Sequence, residues 1–168
     1  MNKINLDDLI RYKDYLIIDN KNSKVIFSTA EEGRSFNRHT EEGLKELENL
    51  KKEFNVSNLV YLNQIHSDII YKFDGINGDE IIASEGDAII TDVENSIIGI
   101  FTADCVPVIL VDERLKVAAA IHSGWKGTFT SITAKTIQSL EKEYGSRKED
   151  IKVYIGAHIR QCCYEVSE

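Results

Sequence analysis

The sequence predicts an α/β domain with a mixed sheet, many hairpins and few helices. Three observations point to that class. Short runs rich in Ile and Val recur along the chain, separated by turn chemistry such as Asp74-Gly75, Asn77-Gly78 and Glu85-Gly86. Only two stretches carry helical periodicity. Strands and helices do not alternate as they would in a doubly wound fold.

The elements follow in order. Tyr15–Asp19 and Lys24–Ser28 read as strands, and the polar stretch from Thr29 to Arg38, with Gly33 inside it, reads as a loop. Thr40 can cap a helix whose first turn carries Glu41 and Glu42, favourable at the positive end of the helix dipole. Leu44, Leu47, Leu50 and Phe54 then fall on one helical face. Six short strands are expected next: Asn58–Leu62, Asp68–Phe73, Asp87–Thr91, Ser96–Phe101, Pro107–Asp112 and Lys116–Ile121. The gap from Asp112 to Leu115 is short enough for a hairpin. A second helix is expected from about Thr128 to Tyr144, with Ile132, Thr136, Leu140 and Tyr144 at helical spacing and Gly145 as its C′ residue. A last strand, Asp150–Ile155, precedes a tail from Gly156 to Glu168.

The 168 residues suit a single domain, 1–168. Lys and Arg number 20 against 28 Asp and Glu, a net charge of −8, which excludes a generic nucleic-acid binder because that needs basic surface to displace counterions. Hydrophobic residues at 42% against 29% charged give enough apolar mass to argue against disorder. No run approaches the roughly 18 apolar residues of a membrane span. The start, Met1 to Asp8, has no apolar signal core, so a cytoplasmic location is expected. Cys105, Cys162 and Cys163 are three, an odd count that favours free thiols or ligands over a disulfide framework. Vicinal Cys162 and Cys163 on a strand would face opposite sides, one inward and one outward. The single proline, Pro107, sits two residues after Cys105.

Three segments end a strand with a reactive residue: Leu59 to His66, Ile98 to Pro107, and Val117 to Gly127. A rigid sheet aims such residues at one place. His66, Cys105 and His122 can coordinate zinc with a fourth position open. The same residues fit a Cys105 nucleophile with His122 or His66 as base. They also fit a buried small thiol beside ordinary histidines. Spacing does not separate the three; metal content does. His122-Ser123-Gly124-Trp125-Lys126-Gly127 leaves a strand and opens a helix, so its glycines, its free N–H groups and Lys126 could seat a phosphate; the alternative is a tight turn with an exposed lysine. Trp125 can stack on a planar substrate or cover the core edge. His39, beside the Thr40 cap, reads as a surface residue, and His158 follows Gly156 in the tail. Arg160 can pair with a phosphate or carboxylate, or make a surface salt bridge.

Five ordered motifs resemble one family: Asn63-Gln64-Ile65-His66, Gly86-Asp87-Ala88-Ile89-Ile90-Thr91, Thr102-Ala103-Asp104-Cys105-Val106-Pro107-Val108, Ala120-Ile121-His122-Ser123-Gly124-Trp125-Lys126-Gly127, and Ile155-Gly156 through Cys162-Cys163-Tyr164-Glu165-Val166. They occur in the same order in the YfiH/YlmD-type laccase-domain family, whose members carry the labels polyphenol oxidase and purine nucleoside phosphorylase, and the resemblance covers the chain from about residue 25. It implies a layered α/β/β/α fold with mixed sheets, grouped with cysteine-hydrolase-like toxins, and a zinc site of His66, Cys105 and His122. It implies phosphorolysis of purine nucleosides (adenosine, inosine, methylthioadenosine) with adenosine deamination beside it. The alternatives are copper-dependent phenol oxidation, a metal-free Cys–His hydrolase, and a non-catalytic short form. Four histidines are too few to ligate several coppers, so zinc is favoured over copper.

Deamination needs a general acid/base, for which Asp104 is a candidate, although neighbours on an extended segment point opposite ways. Lys126 or Arg160 would hold the phosphate. The partners expected are an uncharged nucleoside and phosphate, with no nucleic-acid polymer and no membrane. Two departures from the family stand out. Ala157 replaces a usual proline, and the chain ends two residues after Val166, where family chains run on. The expectation is a domain short at its C-terminus that keeps the three ligands. An uncovered sheet edge would then favour weak self-association over a strict monomer.

Overall fold

The structure is a computed structural model that describes residues 9–165. Met1–Asp8, read above for its lack of a signal core, and Val166 of the last motif lie outside the described residues. Strands β1 (Ile10–Tyr12), β2 (Tyr15–Asp19) and β3 (Lys24–Ser28) form an antiparallel meander. Helix α1 (Glu41–Glu53) follows. The remaining elements are β4 (Asn58–Tyr61), β5 (Ile70–Phe73), α2 (Gly78–Ala83), β6 (Ala88–Thr91), β7 (Ser96–Gly99), β8 (Val106–Asp112), β9 (Val117–Ser123), α3 (Trp125–Phe129), α4 (Ile132–Tyr144) and β10 (Ile151–Ile155). The main sheet has the order β10-β8-β9-β6-β5, with β5 and β6 parallel and the other pairs antiparallel; β4 and β7 form a separate parallel pair. The mixed α/β class expected from the sequence is what folds.

Strand alternation builds the layers. On one face of the main sheet, Ala88, Ile90, Val108, Leu110, Val117, Ala119 and Ile121 pack against Ile132 and Leu140 of α4. Burying each such Leu or Ile contributes about 1.5–3 kcal/mol. On the other face, Val111 and Tyr154 meet Ile18 and Val25 of the meander, while Ile89 meets Val60, Leu62, Phe73 and Ile81.

Several elements differ from expectation, each for a local reason. The second helix is two helices, because Ser131 takes a left-handed φ of 64° between Phe129 and Ile132. Its C-terminus is as expected: Gly145 has φ 71° and its N–H bonds the Glu141 and Leu140 carbonyls. Asn77-Gly78 opens α2 rather than a plain turn, because Ile81 docks into the core at 1% exposure. Strand β1 was not expected; its turn to β2 is made by Lys13 at φ 52°, without a glycine to mark it. Cys162 and Cys163 lie in a turn rather than on a strand, so both are exposed, with sulfurs 3.4 Å apart.

Thr40 caps α1 as expected, its Oγ1 accepting from the Gly43 N–H at 3.1 Å. The inward positions of α1 are Gly43 and Leu47, whereas Leu44 is 46% exposed. Gly43 faces inward because the loop before the helix lies on it: a Cβ there would meet the Asn37 carbonyl oxygen at 2.0 Å. The same loop is pinned from its other end. Arg34 pairs with the fully buried Asp14 and with Glu46 and Glu53, and stacks over Tyr15 and Phe36. The guanidinium holds the Asp14 carboxyl below the usual carboxylate range. Phe36 to His39 are thereby fixed beside the ends of the sheet strands.

Candidate metal centre

Register brings the expected ligands together. In the β8–β9 ladder Val106 pairs with Ser123 and Pro107 with His122, which sets Cys105 beside Gly124 at the sheet end. In the β6–β9 ladder Ala88 pairs with Ile121, and the His122 N–H bonds the Asp87 carbonyl at 2.8 Å. The Asn63–Ser67 loop closes over the same end. The ligand atoms of His66, Cys105 and His122 all lie within 4.8 Å of one another, and the two imidazole rings meet edge to face at 4.8 Å. His66 is exposed, Cys105 half-buried and His122 buried.

Asp87, of the Gly86–Thr91 motif, organises this cluster, a role its place in the sequence does not announce. It is fully buried. Its Oδ1 accepts from the His66 N–H at 3.0 Å and lies 2.7 Å from His122 Nδ1. Its Oδ2 accepts from the Ser67 N–H and hydroxyl, each at 2.6 Å, and from the Ile65 N–H at 3.4 Å. Burial alone would raise its pKa, but the bonds from His122, Ser67 and His66 overcome that and hold it at about 2. One carboxylate therefore orients both histidines. By accepting a hydrogen bond from His122 Nδ1–H it leaves Nε2 free as a ligand, the usual outer partner of a metal-bound imidazole. The three converging N–H groups also account for His66 having φ 61°, a left-handed conformation that a non-glycine residue holds only when its surroundings over-determine it. The signal in the sequence was a carboxylate opening a fully buried strand.

The donor set fits a metal ion. Cys105 Sγ and His66 Nε2 are 3.6 Å apart, close to the ~3.5 Å between sulfur and nitrogen ligands around tetrahedral zinc. Two nitrogens and a sulfur suit zinc or a softer transition metal rather than magnesium or calcium. Among the described residues this is the one group of three such side chains, enough for one ion. A metal-free nucleophile is poorly served, since burial and the charges of Asp104 and Asp87 push the Cys105 thiol up, away from the thiolate.

A pocket of about 430 Å³ opens on the cluster, lined by His66, Cys105 and His122 together with Phe36, Arg38, Gln64, Phe101 and Asp104, among others. That volume suits a small organic ligand. Gln64 fastens one wall: its side-chain N–H donates to the Phe101 carbonyl and its oxygen accepts the Phe101 N–H, both at 2.7 Å. Asp104 does reach the pocket beside Cys105, because Ala103 to Cys105 form a bend and the opposition expected of an extended segment does not apply. His39 is exposed, as expected, and also lines the pocket.

Trp125, Lys126 and Arg160 do not line the pocket. Trp125 is 61% exposed with the Lys126 ammonium over its ring, and α3 is a single short turn. The glycines around it serve the ligands. A Cβ on Gly124 would meet His66 Cδ2 at 2.5 Å and Cys105 Sγ at 3.3 Å, and one on Gly127 would meet the Ser67 carbonyl at 2.9 Å. His158 is exposed and its Nδ1 lies 2.9 Å from the Gly156 carbonyl.

Residues 20–168 match the family described as multi-copper polyphenol oxidoreductase laccase. The chain belongs to that family. A family relative from Clostridium acetobutylicum, named a purine nucleoside phosphorylase, is 48% identical over 165 residues, 98% of this chain and 68% of its own length. A relative from an unidentified prokaryote, named an adenosine deaminase, is 34% identical over 67% of this chain and 45% of its own length. The crystal structure of the Bacillus licheniformis hypothetical protein YfiH superposes with a TM-score of 0.78 at 22% identity, covering 91% of this chain and 65% of that one. The fold is therefore YfiH-like, as the motifs imply. The chain spans about two thirds of the length of that structure and of the Clostridium relative. Among the described residues no helix is long and apolar enough to cross a membrane.

Proposed function

We propose that this chain is a zinc-dependent purine nucleoside phosphorylase of the cytoplasm, folded as one domain, with adenosine deamination as a second activity. One observation carries it: three ligand atoms within 4.8 Å of one another face a pocket of nucleoside size. The names of the relatives agree with it.

His66, Cys105 and His122 would hold the metal, which supplies Lewis acidity able to make water a nucleophile near neutral pH. Phe36 and Phe101 present flat apolar walls suited to a purine. In phosphorolysis a phosphate oxygen attacks C1′, the C1′–N9 bond breaks, and its electron pair leaves with the base, which takes up a proton. In deamination water adds at C6 and ammonia leaves. Asp104 is the carboxyl in the pocket that can hold or pass the proton each step needs. Adenosine, inosine and methylthioadenosine are the substrates to try.

Zinc-loaded protein incubated with adenosine and phosphate is expected to yield adenine and ribose 1-phosphate, with inosine reporting deamination; chromatography of the products decides. A folded, zinc-loaded sample that forms neither product contradicts the proposal. Copper retention with oxygen uptake on a phenolic dye would instead favour the oxidase.

A further inference from the structure

We propose that Arg38 is the residue that holds the phosphate co-substrate in this pocket, an inference that rests on the phosphorolytic reading. A nucleoside is neutral, so the charge to be recognised belongs to the phosphate. Arg38 lines the pocket, whereas Lys126 and Arg160 do not.

The bonding of Arg38 is that of a cation without a counter-ion. Its Nη1 donates to the Leu62 carbonyl at 2.6 Å, its Nη2 to Asn63 Oδ1 at 3.0 Å, and its Nε to His39 Nε2 at 3.4 Å. None of the three acceptors is a carboxylate. Its guanidinium lies 5.4 Å from the centre of the Phe101 ring. Among the described residues no carboxylate comes within ion-pair distance of it, Asp104 of the same pocket included. The contrast with Arg34, four residues earlier, is direct: that guanidinium pairs with Asp14, Glu46 and Glu53. Arg11, Arg114 and Arg147 are paired as well. Arg160 has no ion pair either but is exposed; in a chain of net charge −8, a half-buried arginine without a carboxylate partner among the described residues is the exception.

Three of its five N–H donors are engaged, which leaves one on each terminal nitrogen to donate to phosphate oxygen. The Leu62, Asn63 and Phe101 contacts fix the guanidinium in place before the anion arrives, so little rotamer entropy is lost on binding.

The test titrates inorganic phosphate into the zinc-loaded full chain by calorimetry, and measures KM for phosphate and for adenosine. Arg38→Gln is expected to weaken phosphate binding about tenfold or more and to raise KM for phosphate in step, with KM for adenosine changed less than about twofold. Arg38→Lys should recover part of the binding, since it keeps the charge and loses the guanidinium. Nucleoside cleavage with an unchanged KM for phosphate in Arg38→Gln overturns the role of Arg38 while leaving phosphorolysis standing. Phosphate binding that depends on Arg38, in a protein that cleaves no nucleoside, supports the anion site and overturns the phosphorolytic reading. A wild type that binds no phosphate overturns the anion site. If both variants fail to fold, labelling of wild-type Arg38 by phenylglyoxal, mapped by mass spectrometry, decides: protection by phosphate but not by chloride supports the proposal, and no protection overturns it.

Discussion

Asp87→Asn is expected to lower metal affinity about 10- to 100-fold and to destabilise the metal-free fold by about 2–4 kcal/mol. The reason is geometric. Both carboxylate oxygens accept hydrogen bonds, Oδ1 facing His66 and His122 and Oδ2 facing Ser67 and Ile65. Asparagine must turn an N–H₂ toward one of those donor sets whichever way it is placed, in a position with no solvent to accept the surplus protons. The His122 tautomer and the His66 backbone conformation then lose their common anchor. Urea unfolding in the presence of a chelator measures the stability loss, and competition with a zinc-binding dye measures the affinity loss. Wild-type affinity in the variant would mean that the ligands are positioned by something other than Asp87.

Gly124→Ala tests the opposite separation, a lost site in a retained fold. The added methyl would sit 2.5 Å from His66 Cδ2 and 3.3 Å from Cys105 Sγ. His66 is exposed and can swing outward, so the overlap is relieved by moving a ligand rather than the core. The expectation is a zinc affinity reduced at least about tenfold with a stability change under about 1 kcal/mol in the metal-free protein. A variant that binds zinc as tightly as wild type would show that His66 is not held against Gly124 when the ion is bound.

Local chemistry made much of the fold legible. Strands β2 and β3, the Thr40 cap, the β8–β9 hairpin and the Gly145 terminus follow from alternation and turn residues, which act over a few positions. The ligand candidates were legible because reactive side chains at strand ends converge in an α/β sheet. What was missed depends on contacts distant in sequence. Asp87 takes its meaning from His122 and the Ile65–Ser67 N–H groups, none of which is near it in the chain. The loop from Thr29 to Arg38 reads as solvent-exposed polar chain, yet Arg34 ties it to Asp14 and Glu53 and Gly43 lets it lie on α1. That docking is what turns Phe36, Arg38 and His39 toward the pocket. In the sequence Lys126 reads as a phosphate seat because a glycine-rich strand-to-helix turn suits anions in general. Here Gly124 and Gly127 are small so that His66, Cys105 and the Ser67 backbone can approach.

The central claim is that His66, Cys105 and His122 hold one metal ion. Elemental analysis of the purified wild type beside His66→Ala, Cys105→Ala and His122→Ala tests it most directly. One equivalent of zinc is expected in the wild type, and its loss from each folded variant. One equivalent retained by all three variants, or several equivalents of copper in the wild type, would contradict it.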